Sequence, residues 1–260
     1  MTPNPRIWLG APNSIKGPTE VIFQKQSGNN LLIVGQRDEA VLAILSVGFV
    51  SLAAQFPIGK ANFILFDGNP PGSTSREYLE KIVATIPHKV TVAKPNDVAE
   101  IMNGLAADLK QRAENPSDEF PTTFVFIHGL QKFAKLRNED EFSFSSDDSA
   151  PNPASQLSKL ITEGPSLGIH VIATFDTYNN VNRFLSKKAF SEFEMRVLFQ
   201  MSANDSASLI DNPRAGSLGL HRALFYNEQQ GYLELFRPYA LPREEWIQQA
   251  AQNLSQLSQG

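Results

Sequence analysis

The 260 residues are 42% hydrophobic and 19% charged, with a formal net charge of -4 and a pI near 5.6. Such a chain can bury a sizeable core, and its acidic balance disfavours a stand-alone nucleic-acid binder, which normally carries a basic excess. It has no cysteine, which removes disulfide frameworks, zinc ribbons and thiol chemistry, and its four histidines show no ligand spacing, so no metal site is expected.

Residues 1–6 hold two prolines and no apolar stretch, so they do not form a secretory signal, and a cytoplasmic location follows by default. Residues 1–27 read as a lead-in. The continuous apolar run 31–34 ends at Gly35 and predicts a buried parallel strand, followed by a long helix over 38–55. Residues 40–59 lack charge and are long enough to span a bilayer. Ser46, Ser51, Gln55 and Pro57 interrupt them, so we read a helix buried in an α/β sandwich, with no membrane insertion.

Residues 61–66 predict a strand closed by a Gly/Asn/Pro turn, and 75–85 a helix with Ser75 as its cap. A strand over 88–92 precedes a helix over 96–112, where Val98, Ile101, Leu105 and Leu109 recur at helical spacing. Residues 123–127 form the most apolar strand. Residues 138–153 are polar and acidic and read as a mobile surface loop, or else as a partner-docking segment carrying Phe142 and Phe144. The basic cluster Lys132, Lys135, Arg137 just before it suits a solvated helix face better than a DNA track. A helix over 155–163, strands over 169–174 and 196–199, a short helix over 206–210 and a hairpin of 222–226 with 232–236 follow. The C-terminal helix, 243–260, carries the stripe Trp246, Ala250, Leu254, Leu257, which suits docking on its own domain.

Alternating strands and helices predict a mainly parallel sheet covered on both faces, with an antiparallel edge hairpin. With no internal repeat or long linker, 1–260 reads as one domain. The crevice of such a sheet lies at the carboxyl ends of its strands. Residues 35–42, 128–130 and 174–180 should meet there.

Those segments resemble the FtsK/SpoIIIE motor domain as an ordered set. Gly-Asn-Asn-Leu-Leu-Ile-Val-Gly at 28–35 looks like the strand entering the Walker A loop, and residues 62–67 resemble the next strand, which also ends in Asp. Phe-Val-Phe-Ile at 124–127 sits where the Walker B strand belongs, and 163–174 resembles the passage before the sensor residues Thr174, Phe175 and Asp176. Residues 195–202, with 205–206, 210–211 and 222–226, resemble the closing part of the domain. The resemblance implies a RecA-like P-loop NTPase three-layer sandwich.

The departures fall on the chemistry. A phosphate loop reads Gly, four residues, then Gly-Lys-Ser/Thr. Here Gly35, Gln36, Arg37, Asp38 and Glu39 are followed by Ala40, Val41 and Leu42. Val41 cannot neutralise a phosphate and Leu42 offers Mg²⁺ no hydroxyl. His128 and Gly129 stand where the Walker B acids should, and neither can serve the metal or orient water. Asp38 and Glu39 repel an anion at the helix start, or cap their own helix. Together these changes weaken ATP binding by roughly 10⁴-fold. We therefore expect no catalytic residues and no cofactor, with ATP/Mg only if the loop works atypically. His128 reads either as a base or as a hydrogen-bonded residue at the sheet edge. His170 reads as structural. Arg196 reads either as a residue reaching a neighbouring protomer's nucleotide or as a salt-bridge partner. By the resemblance, partners are other ATPase domains of the same or a related chain, in a ring, with DNA or protein handled indirectly. An active DNA translocase with an unusual loop and a non-catalytic DNA-binding module are the alternatives.

Overall fold

The computed structural model describes residues 4–94, 96–138 and 152–256. Phe142, Phe144 and most of the acidic stretch lie outside these residues, as does Leu257.

Two strands, β1 (Arg6–Pro12) and β2 (Thr19–Ile22), occupy what the sequence presents as a lead-in. Prolines at 5 and 12 disguise them. A proline at a strand end removes no essential ladder bond, and Ile7 and Leu9 still point into the core. Next come β3 (Leu31–Val34), α1 (Asp38–Gln55), β4 (Ala61–Asp67), α2 (Thr74–Ala84), β5 (Lys89–Ala93), α3 (Val98–Glu114) and β6 (Thr122–His128). The rest comprises α4 (Pro153–Glu163), β7 (Ile169–Phe175), α5 (Tyr178–Phe184), α6 (Lys187–Ser191), β8 (Met195–Leu198), α7 (Ala203–Ile210), β9 (Ala223–Asn227), β10 (Tyr232–Pro238) and α8 (Glu244–Gln256).

The strands form one sheet in the order β2-β1-β10-β9-β8-β3-β7-β6-β4-β5. From β8 to β5 the pairing is parallel, and from β8 to β2 it is antiparallel. The antiparallel edge is therefore broader than the predicted hairpin, because β1 and β2 extend it.

Side-chain alternation sends successive residues to opposite faces. Leu32, Val34, Val125, Ile127, Val171 and Ala173 pack with α3, α4, α5 and α7. Leu31, Ile33, Phe124, Phe126 and Ile172 pack with α1, α2 and α8. This double covering explains why the parallel strands read as unbroken apolar runs. It also explains α1, the one helix among the described residues long and apolar enough to cross a membrane. Its apolar surface is used against the sheet: Phe49 stacks on Phe126 with ring centroids 3.9 Å apart.

Local differences have local causes. The α2 cap is Ser73, not Ser75, and its hydroxyl accepts from the Arg76 N–H. In the terminal stripe Ile247 joins Ala250 and Leu254 in the core, while Trp246 is exposed. Lys132, Lys135 and Arg137 are exposed along two short 3-10 turns, not a helix face.

Candidate functional site

The three predicted segments do meet, at the carboxyl ends of β3, β6 and β7. The Gly35 N–H donates to the Phe175 carbonyl (2.9 Å), the Phe199 N–H to the Val34 carbonyl (3.0 Å), and the Gly129 N–H to the Thr174 hydroxyl (2.8 Å).

Gly35 has φ +140°, and a Cβ there would lie 2.6 Å from the Cβ of Phe199. Both the backbone and the close approach demand glycine. We expect Gly35→Ala to lower stability by about 2 kcal/mol, read as a lower urea midpoint at unchanged slope.

Beyond Gly35 the connection to α1 is short. Only Gln36 and Arg37 separate it from α1, and the Val41 N–H already donates to the Arg37 carbonyl at 2.9 Å. In a phosphate loop, backbone N–H groups of this stretch wrap the anion. Here Asp38 and Glu39 are the first helical residues, both exposed. Neither caps the helix. Arg37 holds the cap position without a side-chain hydrogen bond, so the two acids act on the helix only through its dipole. Val41 and Leu42 are buried against the sheet, pointing into the core instead of toward a ligand.

His128 is 7% exposed, at the end of an interior strand and not at the sheet edge. Among the described residues neither ring nitrogen has a hydrogen-bond partner, contrary to the hydrogen-bonded reading. Burial, helped by the charge of Lys132, lowers its pKa to about 4. The ring is therefore neutral at pH 7. It lies in register with Asp67 on β4, and strand alternation turns both toward the α1 face. Burial raises the Asp67 pKa, while the Asn69 N–H and Arg76 partly oppose it. Asp67 is the carboxylate that stands in strand register with His128. The signal for it was the acidic residue closing an apolar strand.

Asp176 accepts from the Asn180 amide (2.7 Å) and the Thr177 hydroxyl (3.3 Å), so it helps to fasten the start of α5. Phe175 is buried. His170 is buried, and its Nδ1 lies 2.8 Å from the Asn29 carbonyl, the structural role expected of it. Arg196 turns inward. Its guanidinium donates to the Leu209 carbonyl (2.8 Å), pairs with Glu228, and lies over the rings of Phe190 and Tyr226 at 4.4 and 5.8 Å. Of its two readings, the ion pair is the one the fold contains.

Beside the start of α1 opens a cavity of about 520 Å³, walled by Arg37, Glu39, Phe199, Arg222, Arg237 and Tyr239 among others. Its arginines come from distant parts of the chain, which is why sequence spacing did not show it. Among the described residues no cluster of three or more His, Asp or Glu side chains is placed to hold a metal.

No family model matches the chain, and no curated protein matches it. Solved structures do. The cytoplasmic domain of the type VII secretion ATPase EccC from Thermomonospora curvata superposes with a TM-score of 0.72 at 14% identity, over 98% of this chain and 31% of that one. The pCW3 conjugation coupling protein TcpA, solved with ATPγS, gives 0.68 at 12% identity over 97% and 71%. EssC (ATPases 2 and 3) from Geobacillus thermodenitrificans gives 0.62 at 15% identity over 100% and 50%. The chain thus spans under a third of the EccC chain. At such identities the likeness establishes the fold, the RecA-like P-loop ATPase fold of FtsK/SpoIIIE-type domains.

Proposed function

We propose that the chain is a non-hydrolysing domain on the FtsK/SpoIIIE plan, a structural or regulatory part of a larger cytoplasmic DNA-translocase or secretion-type machine. One observation carries this reading. At the place where the fold presents its lysine, hydroxyl and acids to Mg·ATP, this chain has two buried apolar side chains, Val41 and Leu42, and a neutral buried histidine, His128. A triphosphate there gains neither the lysine's charge-assisted bonds nor a metal held through an acidic second shell.

Neighbouring structures that hold several ATPases, such as EssC (ATPases 2 and 3), support a partner of the same kind: another ATPase domain, stacked on this one in the same or a related chain. In that setting, DNA or protein cargo is moved by the partner.

The test is phosphate release from millimolar Mg·ATP. We expect no turnover above the protein-free rate, with or without DNA. Steady release that follows the protein through purification and stops on chelating magnesium would overturn the proposal and favour the atypical-loop ATPase.

A further inference from the structure

A smaller cavity, of about 260 Å³, opens at the opposite end of the sheet, beside the amino ends of β3 and β8. Among the described residues its charged lining is three carboxylates, Glu20, Glu194 and Glu234, and one ammonium, Lys16. Two of the carboxylates have cations. Arg6 pairs with Glu20 at 3.1 Å, and Lys16 reaches Oε1 of Glu234 at 2.7 Å. Glu194 has none: among the described residues its half-buried carboxylate makes no hydrogen bond or ion pair. Burial, with Glu192 and Glu228 nearby, raises its pKa, opposed only by Arg196, which Glu228 already engages. Glu234 is 7% exposed, and its Oε2 is buried without a partner. A carboxylate without a cation and a buried carboxylate oxygen without a donor have both lost solvation that the protein does not return.

The chain itself indicates what chemistry the wall accepts. From the exposed loop 13–17, between β1 and β2, Lys16 turns its ammonium back to donate to the Tyr232 hydroxyl (2.7 Å) and to Glu234. One primary ammonium is therefore already seated there, and Glu194 is left for another. Ile22, Met195 and Phe225 line the same space and offer a short alkyl chain an apolar surface. A metal ion does not fit: among the described residues no three acidic or histidine side chains converge to hold one. The volume lies below the range of drug-sized ligands, which limits the guest to a few carbon atoms.

We propose that this cavity binds a short, free aliphatic amine, its ammonium paired with Glu194 and its alkyl chain laid over Met195 and Phe225. Lys16 holds the neighbouring carboxylate and, as a like charge, limits the affinity. The cavity is remote from Gly35 and His128, so the inference stands or falls independently of the reading of those residues.

The experiment is an NMR titration of the full chain at pH 7 and low salt with n-butylamine, and with 1-butanol as its uncharged counterpart. The amine should give saturable amide shifts confined to residues around Glu194, Asn227 and Tyr232, and the alcohol none. Glu194→Gln should weaken amine binding about tenfold or more. That variant also relieves the repulsion from Glu192 and Glu228, so it keeps its fold. Lys16→Met should tighten binding severalfold by removing the competing cation, a gain that loss of folding cannot produce. No saturable shift with n-butylamine, equal shifts with 1-butanol, an affinity untouched by Glu194→Gln, or no gain from Lys16→Met would each overturn the proposal. Nα-acetyl-lysine methylamide separates the sources of the ammonium. Tighter binding of that compound than of n-butylamine would assign the cavity to a partner protein's lysine and overturn the free-amine assignment.

Discussion

Acidification from pH 6.5 to pH 4 is expected to cost the native state roughly 3 kcal/mol for each of His128 and His170. Both rings are buried, and burial lowers both pKa values to about 4 from an ordinary 6.5. In the unfolded chain the two imidazoles take up protons near pH 6.5, and in the folded chain only near pH 4. Between those values the unfolded state binds more protons, so the stability they confer is complete above pH 6.5 and drains away as pH falls. Asp67 and Glu194, whose pKa values burial raises, work in the opposite sense and return part of the loss at the acid end. Urea midpoints measured in steps across this window should fall steeply. His128→Gln and His170→Gln should each flatten the curve. Parallel curves for wild type and both variants would show that neither ring is buried uncharged.

Arg196→Ala should destabilise the isolated chain by about 3 kcal/mol. The substitution orphans the Leu209 carbonyl, strips Glu228 of its partner and empties the space between Phe190 and Tyr226. Glu228 is about half-exposed and regains water, which keeps the loss below that of a fully buried pair. Arg196→Lys should recover only part, since an ammonium cannot donate in the same fork to the carbonyl and the carboxylate. A residue that acted only on a neighbour's nucleotide would leave the monomer's unfolding curve unchanged. That outcome would reverse the structural assignment.

The parallel half of the sheet was legible because burial on both faces removes polar residues from its strands. Thr-Thr-Phe-Val-Phe-Ile-His can hardly be anything but an interior strand. The antiparallel edge was harder. In β10 buried Glu234 and Phe236 alternate with half-exposed Leu233 and Leu235, and β1 is framed by prolines, so local pattern understated both. At the site, the order of motifs was readable and their side-chain placement was not. Sequence placed His128 at the right strand end, but not its isolation, which depends on what packs around it. It gave the acids at 38 and 39 a capping role that the backbone assigns to Arg37. The arginine cleft stayed hidden because Arg37 and Arg237 are about two hundred positions apart and meet only once the sheet is complete.

That sheet also pairs strands far apart in sequence. β1 lies hydrogen-bonded between β2 and β10, with Gly10 opposite Pro238. Of the described strands, the first in sequence therefore waits for the last. Until then Ile7, Leu9, Val21 and Phe23 have no finished surface to cover them. Closing so large a loop makes assembly slow and non-local. A truncation before residue 232 would leave β1 without its β10 partner, with an unpaired edge beside apolar side chains, a ready seed for aggregation during synthesis.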